Sequence, residues 1–496
     1  LKKLFAVFFA VLLTVCLLPM TGCGNNQIQI GLDAFPSTLD PQLEAQEPGA
    51  SVFGFLFSGL LQYGKDGMLH PDVAEQFFFS EDGTKLTFIL RTDRLWQDGT
   101  QVTSYDFAFA IERVLSPETE SAYAKTLFSI AGAQDFYNQA ASEISGISCP
   151  DKSTLILTLD YTDETFLYAF AAPYLSPCNE DFFDASEGSY GMTSAETLLN
   201  GPYTVYSRGS TQIVLKKRDG AEKSLPDTIT FFISEDLSES ELTAQLESGK
   251  TAMAIYDIEL DVSDEIEVEP VENLTWGICL GIGEDTASRD ERLLYALAYG
   301  GIGELQQENR VTNLMPEAYA NFYLSKAQLA RAANNDTAKN FLSALLSAYD
   351  LSALPTITLL VPDEDEARAL SDQLVQLWQK NINIFITREY YSRSKILSLM
   401  SSGDYDAALL PIEYTQSTPA AFYRDLCAQI GASDELNAQL DAIEAYSDQD
   451  FAKAAEQILF DSKRIFPLQE GCIYIYSQSD LTHIYYNRRV GIVDLQ

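Results

Sequence analysis

The chain has 496 residues, 46% of them hydrophobic, enough to bury several cores and more than one ordinary domain needs. Its 72 acidic residues against 32 basic ones give a formal net charge of -40. So negative a surface argues against nucleic acid and anionic membrane as direct partners and keeps the body solvated.

In chain order, the first feature is an apolar run from Leu4 to Leu18 behind Lys2 and Lys3. It is shorter than the roughly 20 residues a spanning helix needs and matches the apolar core of an export signal. The run ends at Pro19, and Thr21-Gly22-Cys23 resembles a bacterial lipobox, so the expectation is a leader over residues 1–22, cleavage before Cys23 and a diacylglycerol on its thiol. Two or three acyl chains anchor stably where one holds only marginally. The polar "GNNQ" that follows suits a tether.

Alternating runs then read as strands: "QIQIGL", "KLTFILR", "STLILTLD", "TQIVLKK" and "DTITFFIS". Helical periodicity marks "SYDFAFAIERVL" from Ser104, read with that serine as its cap, and "DEARALSDQLVQLWQK" from Asp365. Together these make a mixed α/β chain. The acidic run Glu259–Asn273 is either a crossover between lobes or a solvated surface loop, and the change from many short strands before it to longer helices after it favours the crossover.

Much chemistry is missing. Only His70 and His483 are present, which removes most zinc sites and histidine-dependent triads. "GKT" at Gly249 lacks the upstream glycine of a phosphate loop, "SRSK" from Ser392 lacks the companion motifs of a serine acyl-enzyme, and "GGIG" at Gly300 follows a helix where a dinucleotide turn follows a strand. Carboxylate chemistry alone stays open, with no pair whose spacing demands it. Beyond Cys16 and Cys23, five scattered cysteines without C-x-x-C spacing (Cys149, Cys178, Cys279, Cys427 and Cys472) read as free thiols with at most one or two bridges.

From Ser37 to Pro117 the order of motifs is dense: Leu39-Asp40-Pro41, Gly59-Leu60, Pro71 with Ala74-Glu75, Asp82-Gly83, Phe88 with Leu90-Arg91, then Trp96-Gln97-Asp98-Gly99 before Thr103 and Asp106. This stretch resembles the extracytoplasmic solute-binding protein family 5, the peptide- and nickel-binding receptors of ABC importers. Later pieces, among them "LNGPYTVYSRGSTQIVLKKR", "ELTAQLESGKTAMA" and "RLLYALAYG", extend the resemblance over nearly the whole exported chain.

The resemblance implies a two-lobed, hinged α/β fold of the periplasmic-binding-protein type with an inserted domain. Its lobes would run over 23–49, 166–270 and 471–496 for the first, 50–165 for the insertion and 271–470 for the second. It implies binding without bond chemistry, no cofactor and no metal, a monomer, a peptide or other small solute in the cleft, and an ABC importer permease as partner. In peptide-binding members a carboxylate before a proline meets the ligand's ammonium; here Glu413 and Tyr414 stand in that place. Trp276 falls where the family often has a cleft aromatic, and a core role for it stays open.

Departures from the family pattern concern the ligand. Gly300-Gly301 replaces an Asp-basic pair, Gly281 replaces an asparagine, and Ala407-Ala408 replaces the stretch where some members carry a carboxylate-binding arginine. A sensor or pheromone receptor on the same fold, a receptor for a non-peptide solute, and a surface hydrolase using carboxylates are the alternatives.

Overall fold

The computed structural model describes residues 27–495 apart from 44–48, 66–67, 120, 122, 162–164, 282–285, 303–312, 317–323, 325–334, 355, 404, 414–418, 432, 444–447, 463, 480 and 488–491. Strand β1 (Gln27–Leu32) comes first. The next six strands lie apart from it: β2 (Leu61–Tyr63) pairs with β3 (Leu69–Pro71), while β4 (Ala74–Phe79), β5 (Lys85–Leu90), β6 (Ile147–Asp151) and β7 (Thr154–Thr158) form a sheet in the order β4-β5-β7-β6. Then follow β8 (Tyr203–Arg208), β9 (Gln212–Lys217), β10 (Thr228–Ile233), β11 (Met253–Tyr256) and the long β12 (Ile266–Leu280). The remainder are β13 (Ile357–Pro362), β14 (Ile386–Tyr391), β15 (Ala407–Glu413), the long β16 (Ile465–Gln478), and the pair β17 (Ile484–Asn487) and β18 (Ile492–Leu495).

The strands expected from alternation form where the pattern placed them, because each sends apolar side chains to one face. In β9, Ile213 and Leu215 are buried between exposed or half-exposed neighbours, and in β5 the buried residues are Leu86, Phe88 and Leu90. The acidic run Glu259–Asn273 is the approach to β12 and its first half, a strand whose acids stay wet while Ile266 and Val271 are buried. The helix at 104–115 departs in its cap. Thr103 is the cap, its backbone N–H and hydroxyl both reaching Asp106 Oδ2, at 2.6 and 2.8 Å; the Ser104 hydroxyl instead donates to the Asp151 carbonyl at 2.6 Å.

Ten strands form one sheet in the order β14-β13-β15-β12-β16-β11-β1-β10-β9-β8. Strands β12 and β16 pair antiparallel along nearly their whole length, from Ile266 opposite Gln478 to Cys279 opposite Ile465. One half of β16 carries β11, and through it β1, β10, β9 and β8; the opposite half of β12 carries β15, β13 and β14. Between the halves the register breaks at Glu272-Asn273, flanked by Val271 opposite Ile473 and Leu274 opposite Gly471.

Three large apolar cores support these elements. One packs Phe55, Tyr203 and Phe231 under the β1 half and continues through Leu410, Tyr423 and Leu459. A second gathers Trp276, Leu359, Leu374, Trp378 and Phe466 around the β13 half. The third, with Phe88, Trp96, Phe107, Ile111, Leu157 and Phe170, belongs to the segment between β2 and Leu198. Each fully buried side chain of this size stabilises by about 1.5–3 kcal/mol. The five cysteines within the described residues are free.

A buried ion pair ties that third core to the chain after β1. Arg113 on the 104–115 helix donates from Nη2 to Asp40 Oδ2 at 2.6 Å and from Nη1 to Gln42 Oε1 at 2.6 Å, with its guanidinium stacked 4.1 Å from the Phe183 ring centroid. At the far end, Asp494 of β18 sits by a cavity of about 500 Å³ and accepts the Leu495 N–H at 2.8 Å. Burial, with the Asp72 charge nearby, pushes its carboxyl up to about 7.

Two expectations follow. Replacing Arg113 by methionine strands the Asp40 carboxylate and should cost about 3–5 kcal/mol in denaturant unfolding; a loss under about 1 kcal/mol would show the pair to be dispensable. Asp494 holds a proton in the folded state that the unfolded chain has already lost above about pH 4, so its contribution falls as pH rises towards 7. Thermal unfolding of Asp494→Asn should therefore gain on the parent from pH 4 upwards and level off above about 7, and a pH-independent difference would refute the assignment.

Candidate functional site

Parallel strands in open α/β sheets bind ligands off their carboxyl ends. Here two parallel sets exist. Strand β1 runs parallel to β10 and β11, and the chain leaves these three at Asp33, at Ser234-Glu235-Asp236 and at Asp257. Strand β13 runs parallel to β14 and β15, and the chain leaves them at Asp363-Glu364, at Ser392-Arg393 and at Glu413 itself.

The two sets of ends face each other. Asp33 keeps contact with solvent yet lies deep among protein atoms, and its carboxyl is pushed up to about 6 by burial first, then by the charges of Glu235 from its own half and Glu413 from the other. Glu366, just past β13, is likewise raised by burial and by Asp257 across the gap and Glu364 beside it, against the lowering effect of the Trp276 indole and Arg393. Carboxylates from both halves thus share one cleft.

Its floor is the β12–β16 pair near the register break. The Cys472 thiol is pushed up to about 12 by burial and by Glu272, Glu470, Glu366 and Glu259, and the Tyr474 hydroxyl is raised by burial and the same acidic surroundings. A side chain at Gly471 would come within 3.0 Å of Glu366 Oε1, so glycine lets that carboxylate lie over the strand.

Glu413 closes β15 and is exposed. Arg393 Nη1 donates to its Oε1 at 2.5 Å, while Nε and Nη2 of the same guanidinium grip Glu364 at 2.5 and 2.8 Å. The two carboxylates raise the Arg393 pKa still further, so it stays a cation between them. Trp276 is fully buried in the second core, and its indole N–H completes no hydrogen bond although the Glu366 carboxylate lies beside it. Tyr414 and Cys23 lie outside the described residues.

The glycines that depart from the family pattern are packing positions. A side chain at Gly281 would sit 1.9 Å from the Tyr405 carbonyl oxygen, and one at Gly300 would meet Ile382 at 2.9 Å. The "SRSK" serine is a helix cap, its Oγ accepting the Lys395 N–H. No group of three or more histidine, cysteine or acidic residues is placed to hold a metal among the described residues, and none of their helices is long and apolar enough to cross a membrane.

The sequence reading missed Asp33, Glu235, Asp257, Glu364, Glu366 and Arg393. A signal was present: an acid directly follows the apolar run in "QIQIGLD", "TFFISED", "MAIYD" and "LLVPDE". It becomes informative only once these runs are known to be parallel strands ending at one place.

Two halves joined by a crossing strand pair, with the carboxyl ends of their parallel strands facing across the gap, make a two-lobed α/β fold. Residues 68–277 match the family described as bacterial extracellular solute-binding proteins, family 5 Middle. The chain is 24% identical over 399 residues to the periplasmic oligopeptide-binding protein OppA of Escherichia coli, covering 75% of this chain and 72% of that one. It is 25% identical over 190 residues to a dipeptide-binding protein of Lactococcus lactis, a match that spans 37% of this chain and about a third, 34%, of that relative. In fold it is similar to the murein tripeptide-binding protein MppA of Escherichia coli, with a TM-score of 0.76 at 19% identity over 95% of this chain and 98% of that one. These relatives are named as binding proteins rather than enzymes.

The Asp33 carboxyl offers a direct check of the geometry. Its carboxyl carbon should titrate near 6 by NMR, and Glu413→Gln should lower that midpoint by removing a like charge from the opposite rim. An unmoved midpoint would place the two carboxylates apart.

Proposed function

We propose that this protein is the extracytoplasmic receptor of an ABC importer, lipid-anchored through Cys23, which captures peptides between its lobes and presents them to the permease. The observation that carries the reading is the pair of facing strand-end rims around one cleft, coupled through Asp33 and Glu413. In this reading residues 50–165 are the inserted domain, and the lobes meet at the register break beside Glu272, where an irregular pair of strands can flex without losing its ladder. Closure follows cargo only to the extent that cargo prefers the closed form.

Glu413 is the acceptor for the ligand's ammonium. It shares Arg393 with Glu364, so an arriving ammonium takes over one carboxylate and leaves the guanidinium gripped in bidentate fashion by the other. Trp276 supports the floor from the core beneath it, and Tyr414 is the next residue after Glu413 in the sequence. Peptides held through backbone hydrogen bonds, in the manner of an added strand, need few side-chain-specific contacts.

Native mass spectrometry of protein purified without refolding should show co-purifying peptides, and Glu413→Gln should weaken them by about 1.5–3 kcal/mol, the scale of a charged hydrogen bond. Wild-type affinity in that variant would remove Glu413 from the ligand. Turnover of peptides or glycans in place of retention would overturn the receptor reading.

A further inference from the structure

The cavity beside Asp494 lies apart from the cleft. Its walls include the short helix Phe53–Leu56, β2, the turns that carry Asp72 and Arg94, the loop after β9, and β18; none of the strand-end acids, nor Arg393, is among them. At about 500 Å³ it falls within the size range of small-molecule sites, roughly 300–1,000 Å³. Phe53, Phe57, Leu61, Ile492 and Leu495 give it apolar sides.

Two carboxyl groups reach this space, and they are provided for unequally. Asp72 has a cation, because Arg94 Nη2 donates to its Oδ1 at 3.0 Å. Asp494 has none. Among the described residues its carboxyl accepts only the N–H of Leu495, the next residue in the chain, at 2.8 Å on Oδ1, which leaves Oδ2 without a partner. The fold nevertheless makes room for this group, since a side chain at Gly54 would come within 2.8 Å of Asp494 Oδ1. A buried carboxylate that serves structure alone collects donors, because burying a charge uncompensated is costly. One with a spare oxygen on an apolar-sided cavity is complementary to a cation that brings an apolar body with it.

We propose that this cavity is a second binding site, for a small organic ammonium with an apolar body, whose charged head pairs with Asp494. The cations already on its walls do not compete for that acid: Arg94 is held by Asp72, and Arg218 donates to the carbonyls of Gly201 at 2.9 Å and Trp96 at 2.8 Å. Asp93, Asp219 and Glu222 line the cavity at exposed positions, and their sign favours entry of a cation over an anion. The site is independent of the peptide-receptor reading.

The test is calorimetric titration of the full chain with benzylamine, benzyl alcohol and benzoate, one body with a positive, a neutral and a negative head. Benzylamine should bind about tenfold or more tighter than the alcohol, with benzoate weakest. Asp494 pairs with the amine only when ionised, and in the empty protein its carboxyl is pushed up to about 7, so benzylamine affinity should fall by about tenfold or more from pH 7.5 to 5.5. Saturating benzylamine should also lower the Asp494 carboxyl midpoint read by NMR, and Asp494→Asn should erase the preference for amine over alcohol. Absent benzylamine binding, equal binding of amine and alcohol, a preference that survives Asp494→Asn, or an Asp494 midpoint unmoved by the amine would each overturn the proposal, and each would leave the peptide receptor standing.

Discussion

The pairing of two long strands, β12 and β16, is the constraint on which the rest of the molecule depends. Each is long enough to serve both halves, so one continuous ten-stranded sheet holds two bodies that would otherwise be separate domains. Because β11 joins one half of β16 and β15 the opposite half of β12, the parallel strands of each lobe are forced to end over the same stretch of crossing strand. The cleft is a consequence of that register. The break in the ladder at Glu272-Asn273 falls between the two attachments, at the one stretch where bending costs neither lobe its own pairing.

Electrostatics builds on that frame. Strand ends bring acids together that lie up to several hundred residues apart in sequence, and crowding raises Asp33 and Glu366 above ordinary carboxylates. Arg393 offsets part of this by bridging Glu364 and Glu413, which also fixes the orientation of the acid that ends β15. Carboxylates crowded in this way repel one another across the gap. The same charges would attract cationic solutes from solution, because a cleft lined by one sign focuses the field.

Much of the fold was legible in the sequence because its strands are bounded by polar residues and alternate cleanly. Ile213 and Leu215 in β9, and Leu86, Phe88 and Leu90 in β5, declare a buried face without any partner being known. The family motifs from Leu39 to Asp106 were legible for a related reason: several do local work, such as Asp106 with Thr103 at a helix cap and Asp40 with Arg113 in a buried pair. The site was read only in part. Glu413 stood out by its place in a motif, whereas Asp33, Glu235 and Asp257 are ordinary surface acids until β1, β10 and β11 are known to be adjacent and parallel. Gly281 and Gly300 looked like lost ligand contacts and are close packing against Tyr405 and Ile382. Tertiary neighbours decide such roles, and alternation carries no record of them.

In the proposed receptor the strand pair that joins the lobes bends at its register break as cargo enters. Small-angle X-ray scattering of the purified protein, without and with a saturating peptide whose binding is confirmed independently, tests it most directly. The radius of gyration should fall on binding as the rims approach, and a bound protein with an unchanged scattering profile would contradict such a hinge.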